Sequence, residues 1–266
     1  MISITTRSGL RMQIDPTEDP WVEKSLYETG AYEAGTVAVL QRFLNVGDTF
    51  FDIGANIGVL SLEASRFVGP KGSVHAFEPA TDTFNMLTKN IELNTCENII
   101  AQNVALGASC ATVTLYKPNR SQASLIQHDK SYKKDQTVHV LTVDQYVTDH
   151  NISHVNMMKI DVEGWELEVM HGAAKLLQSK VPPILIVECV RNRQQHDGDV
   201  LDLYAHLLDL RSYTIYTLRD RKTTPSPFVE VLSPSDLPLH DNLFCFPKEY
   251  FQEEQSTCQI IVARKH

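Results

Sequence analysis

Apolar positions between residues 48 and 218 follow two alternating rhythms. Short runs rich in β-branched and aromatic residues predict strands: "TFFDI", "SVHAF", "IIAQNV", "VNMMKI", "PILIVE" and "YTIYTL". Between them the spacing becomes helical, with Ile57, Leu60, Ala64 and Phe67 after the first run and Phe84, Leu87 and Ile91 after the second. "WELEVMHGAAKLLQS" predicts a third helix with Leu167, Met170, Ala174 and Leu177 on one face. Such alternation predicts a mostly parallel sheet with helices on both sides. "ATVTLYKPNRSQASLIQ" and "TVHVLTVDQYV" read as extra strands inserted around 111–147, before the fourth core strand, and "DNLFCF" as a strand antiparallel to "YTIYTL". Residues 1–47 form a less regular lead-in, poor in core signals, ahead of one domain over 48–266.

Composition narrows the class. A chain of 266 residues, 42% hydrophobic, can bury a sizeable core. The net charge of -9 argues against a nucleic-acid surface, and the densest basic stretch, "RDRKTT" at 219–224, reads as a solvated loop. Cys96, Cys110, Cys189, Cys245 and Cys258 are odd in number and contain no C-x-x-C pair, so neither a zinc site nor a disulfide framework is expected. "MISITTRSGL" lacks the apolar core of a signal peptide, and no apolar run reaches membrane-spanning length. The expectation is a soluble cytoplasmic protein whose sequons at Asn119 and Asn151 carry no sugar.

The stretch "FFDIGANIG" holds the first chemical signal. Asp52 ends a predicted strand, where ligands of parallel sheets gather. Gly54 permits a tight turn and close backbone approach, and Gly58 lets the next helix pack closely. A nicotinamide-binding turn is the rival, but G-x-G-x-x-G counted from Gly54 would place glycines where Asn56 and Val59 stand. Glu78 closes "VHAFE", where a carboxylate can accept both ribose hydroxyls of several nucleotide cofactors; the plainer alternative is a solvated acid before Pro79.

In this order, "FDIGANIGVLSLEAS", "HAFEP", "NVALG" and "MMKIDVEGWELEVMHGA" resemble the FkbM family of S-adenosylmethionine-dependent methyltransferases, over about residues 48–190. The resemblance implies a class I methyltransferase fold: a Rossmann-like, seven-stranded, mostly parallel sheet with helices on both faces. It implies S-adenosylmethionine as cofactor, with Asp52, Gly54, Asn56 and Gly58 around its methionine part, Glu78 on the ribose, and Asn103 and Val104 near the adenine.

"KIDVEG" then places Asp161 and Glu163 beside that pocket, where either could orient or deprotonate an acceptor hydroxyl. Their alternative roles are a helix cap and a brace for backbone amides. Glu188, ending "ILIVE", could join Asp161 on a divalent cation, but two strand-end acids read more simply as a structural pair, and no metal is assigned. His75 and Lys159 fall within strands, and His171 on a helix, as packing or surface residues; Trp165 either covers the site or packs the helix start. "SQASL" at 121–125 and Tyr27, Glu28 and Glu33 read first as ordinary loop residues; the alternatives are a reach over the acceptor pocket for the former and a lid for the latter. The functional expectation is methylation of a hydroxyl on a sugar or natural-product intermediate, the acceptor being a small molecule or glycan and not a nucleic acid. A nicotinamide-dependent oxidoreductase and a non-catalytic S-adenosylmethionine-binding protein are the alternatives.

Overall fold

The computed structural model describes residues 1–117, 123–125, 135–191, 197–210 and 213–248. Strands β1 (Ile2–Thr5) and β2 (Arg11–Ile14) form an antiparallel hairpin, followed by helices α1 (Val22–Thr29) and α2 (Ala34–Phe43). Alternation then sets in with β3 (Thr49–Ile53), α3 (Val59–Val68), β4 (Ser73–Phe77), α4 (Thr81–Asn94) and β5 (Ile99–Gln102). Next come β6 (Ala105–Leu106), β7 (Ala111–Tyr116), β8 (Asp135–Leu141) and α5 (Val143–Asp149). The chain continues through β9 (Met157–Ile160), α6 (Glu166–His171), α7 (Ala174–Leu177), β10 (Ile184–Val190) and α8 (Asp197–Asp209). It closes with β11 (Tyr213–Leu218), β12 (Phe228–Glu230) and β13 (His240–Pro247).

The main sheet runs β12-β11-β13-β10-β9-β3-β4-β5. Five neighbouring strands, β5 through β10 in that order, are parallel, while β13, β11 and β12 join antiparallel. Seven of the eight strands make the class I methyltransferase frame, and the eighth, β12, is a three-residue addition at the edge. Because both faces are covered, neighbouring residues go to opposite cores and the strands read as continuous apolar runs. Phe50, Met157, Ile186 and Phe244 join one core with α2 and α3, whereas Phe51, Met158, Leu185 and Leu243 join the other with α5 to α8.

Three local expectations change. The lead-in is not poor in core: Leu10, Met12 and Ile14 alternate into a cluster with Val22, Leu26, Ile57 and Met86, and Asn90 and Asn94 of α4 accept hydrogen bonds from the β2 amides of Gln13 and Arg11. The strand expected over 137–147 stops at Leu141, because the Thr142 hydroxyl accepts from Gln145 N–H and caps α5. The helix expected over 165–179 breaks into α6 and α7 at Gly172, where the backbone passes so close to Gly107 that a Cβ would lie 2.0 Å from its carbonyl oxygen. The inserted strands β7 and β8 form a separate three-stranded sheet with β6.

Gly172 has an ordinary negative φ, so crowding alone excludes a side chain there. Gly172→Ala should destabilise the protein by about 2–3 kcal/mol in urea unfolding, the usual scale of overpacking. A loss of less than about 0.5 kcal/mol would contradict the close approach.

Candidate active site

The carboxyl ends of β3, β4 and β9 border a cavity of about 490 Å³. Its floor is the turn after β3, where the N–H groups of Gly54 and Ala55 both donate to the Phe77 carbonyl at 3.0 and 2.9 Å. Gly54 has φ +80°, and a Cβ there would lie 1.8 Å from the Asp161 carbonyl oxygen, so no other residue fits. Asn56, at φ 50°, accepts the Ile57 N–H on its own side chain, a local bond that helps asparagine hold this conformation. Gly58 lies outside the cavity lining; a Cβ there would stand 2.5 Å from Leu87, so it brings α3 and α4 together.

Two acids on this floor retain acceptor capacity. Glu78 is buried and receives N–H groups from Asn56 at 3.0 Å and Ala80 at 2.9 Å, one on each oxygen. Burial pushes its carboxyl up to about 7, against the pull of those amides. Asp52 accepts the Ser61 hydroxyl on Oδ2 at 2.5 Å, while its buried Oδ1 has no hydrogen-bond partner among the described residues, and burial raises its pKa. Asn103 lies outside the lining and donates to the carbonyls of Glu78 and Pro79, fixing the chain beyond β4; Val104 does line the cavity.

A charged cluster faces this floor. Lys159 of β9 is 3% exposed and donates to Asp161 Oδ2 at 2.7 Å. Burial alone would lower the ammonium pKa, but Asp161, Glu33 and Asp52 outweigh it and hold Lys159 charged. In return Lys159 and Lys222 overcome the burial of Asp161 and hold its carboxyl well below the usual range. Lys222 pairs with Glu33 at 2.9 Å and Glu188 at 3.2 Å, and His240 Nε2 lies 3.0 Å from the same Glu188 oxygen. Carboxylate oxygens of Asp161, Glu163 and Glu188 lie within 4.8 Å of one another, a spacing that a divalent cation could span, but the two lysines already supply positive charge beside Asp161 and Glu188. Glu163 adopts φ 56° and its carbonyl accepts the Ser124 hydroxyl. The amides around it are braced by Glu166, which accepts from Val162 and Gly164 N–H.

The cavity therefore brings together Asp52, Gly54, Asn56, Glu78, Val104, Asp161 and Glu163, leaving Gly58 and Asn103 behind it. Trp165 lines it while also packing on the core. Of the lid residues only Glu33 reaches it, joined by Trp21, Val22, Ser25 and Tyr32; Tyr27 and Glu28 are exposed elsewhere. Ala123 and Leu125 border the cavity, whereas Ser121 and Gln122, like Asn119 and Cys258, fall outside the described residues. His171 stands apart, and His75 bonds the Tyr146 hydroxyl within the core. Lys159, Lys222 and His240 were not expected in the site. A lysine in the apolar run "MMKI" is the available signal for the first, whereas Lys222 arrives on the loop between β11 and β12 and His240 through the pairing of β13 with β10, neither of which the sequence displays.

Comparison with known proteins identifies the family and the fold. The family model for the methyltransferase FkbM domain matches residues 52–214. The chain is 28% identical over 179 residues to the hexuronic acid methyltransferase AglP of Haloferax volcanii, covering 67% of this chain and 70% of that one. It is 32% identical over 146 residues to methyltransferase 1 of Beauveria bassiana, covering 47% of this chain and 58% of that one. The crystal structure of methyltransferase FkbM from Methylobacillus flagellatus superposes with a TM-score of 0.51 at 18% identity, over 75% of this chain and 43% of that one, which is a likeness of fold. No helix among the described residues is long and apolar enough to cross a membrane. With a family match over more than half its length, on a class I frame, the chain belongs to the FkbM family of S-adenosylmethionine-dependent methyltransferases.

Proposed function

We propose that the protein transfers the methyl group of S-adenosylmethionine to a hydroxyl of a sugar or natural-product intermediate. The observation that carries this reading is one cavity in which the glycine turn and Glu78 face the Asp161–Lys159 pair. The cavity suits the cofactor: each Glu78 oxygen can accept a ribose hydroxyl beyond its present amide, and Asp52 Oδ1, with no hydrogen-bond partner among the described residues, can accept a donor from the methionine part. The name of the Haloferax volcanii relative, a hexuronic acid methyltransferase, supports a sugar acceptor.

When bound, the cofactor supplies a methyl group already activated on a sulfonium, so the protein's work is alignment and exclusion of water. Asp161, held ionised by Lys159, accepts a hydrogen bond from the acceptor hydroxyl and orients it. Glu163, on the strained turn beyond it, meets the acceptor from the side of Ser124. Residues 1–47 serve as the roof over the domain formed by 48–266, with the indole of Trp21, 61% exposed on the cavity lining, offering a flat apolar surface to a ring.

Calorimetry should show saturable S-adenosylmethionine binding, no NAD binding, and affinity at least about tenfold weaker in Glu78→Ala. Labelled methyl should then pass to a hydroxyl in a panel of neutral methyl hexosides, methyl hexuronosides and simple cyclic alcohols. Failure to bind the cofactor, or NAD binding in its place, would overturn the reading.

Glu78 also predicts a pH dependence. Its carboxyl rises from 4.5 to about 7 on folding, so the folded state binds the extra proton and this group's stabilisation fades as pH rises from 4.5 through 7. Ribose hydroxyls need the ionised form, so cofactor affinity should fall about tenfold per unit well below pH 7. Glu78→Gln should flatten that profile and melt higher than the wild type, without ligand, at pH 8. A wild-type affinity unchanged between pH 5 and 8 would contradict the assignment.

A further inference from the structure

The charged cluster holds more than the orienting acids. His240 opens β13 and lines the cavity, and the pairing of β13 with β10 sets Val190 opposite His240 and Glu188 opposite Asn242, so that the imidazole lies over Glu188. Its Nε2 is 3.0 Å from Glu188 Oε1, and its side chain is 57% exposed. A carboxylate oxygen accepts, so in the neutral imidazole Nε2 carries the hydrogen and Nδ1 is the proton acceptor. Lys222 donates to the same Glu188 oxygen at 3.2 Å, which further fixes the carboxylate. Asp241, the neighbouring acid, is occupied with the N–H groups of Lys222 and Asn242.

We infer that His240, oriented by Glu188, is the general base that takes the proton from the acceptor hydroxyl. The inference rests on the O-methylation reading above. As the acceptor oxygen attacks, its proton passes to His240 Nδ1 and its lone pair forms the new O–CH₃ bond. The C–S bond breaks, its electron pair returns to sulfur as S-adenosylhomocysteine forms, and the exposed imidazolium releases its proton to water. Asp161 is poorly suited to this step, because Lys159 holds it as a weakly basic carboxylate. Histidine is the side chain whose ionisation falls near neutral pH, where a general base is most effective.

The test uses whichever panel hydroxyl the wild type methylates fastest. His240→Ala should bind S-adenosylmethionine within about twofold of the wild type yet lose at least about 100-fold in kcat. Added imidazole should restore at least about tenfold of that loss, through the space left at an exposed position. His240→Gln can still donate to Glu188 but cannot take the proton, and should be as inactive as the alanine variant. Retention of a third or more of kcat in His240→Ala, recovery in His240→Gln, or no response to imidazole would overturn the assignment. If the wild type binds cofactor but methylates no hydroxyl of the panel, the O-methylation reading falls and the base assignment falls with it. Wild-type activity thus separates the two failures.

Discussion

A lysine ammonium buried on a strand of a parallel sheet must be matched by carboxylates, and Lys159 imposes that requirement on the centre of this molecule. An isolated charge in such a place is too costly to keep. The Lys159 side chain lies at the carboxyl end of β9, where Asp161 meets it directly and Glu33 and Asp52 add their charge. The consequence for chemistry is a carboxylate that stays ionised on the wall of the cavity. Apolar sheet faces hold β3, β9 and β10 in register, and that register sets the spacing of the acids and bases.

Around this pair the remaining contacts are dictated by closeness of approach. Asp161 N–H donates to the Ile53 carbonyl, bringing the loop after β9 onto the loop after β3, and Gly54 is the residue that lets the two backbones meet. A second clasp joins distant parts of the chain. Glu33 and Asn242 bond each other, Lys222 bridges Glu33 and Glu188, and the Lys222 carbonyl accepts the first amides of α2. The lead-in is thereby tied to β10 and β13 at the cavity edge through a largely buried ion-pair network.

The core strands were legible because burial on both faces makes them continuous apolar runs, and the glycine turn because its steric demand leaves few residue choices. The hairpin at the start was missed: its signal is only the short alternation Leu10, Met12, Ile14, and much of its support comes from Asn90 and Asn94, far along the chain. The break at Gly172 was hidden because helical spacing persists across it while the crowding arises from Gly107. In the site, residues attached to local motifs were readable, though Gly58 and Asn103 proved to support the cavity instead of lining it. Lys222 reads as part of a solvated basic loop, and His240 stands just before the expected strand "DNLFCF" with no local signal of its own. Their roles come from tertiary neighbours, which no local pattern encodes.

The most direct test is a crystal structure of the protein with S-adenosylhomocysteine bound. The account predicts both ribose hydroxyls on the Glu78 carboxylate, the methionine part beside Gly54 and Asp52, and the sulfur facing Asp161 across the cavity. A nucleoside bound elsewhere, or one that leaves Glu78 without a ribose contact, would contradict it.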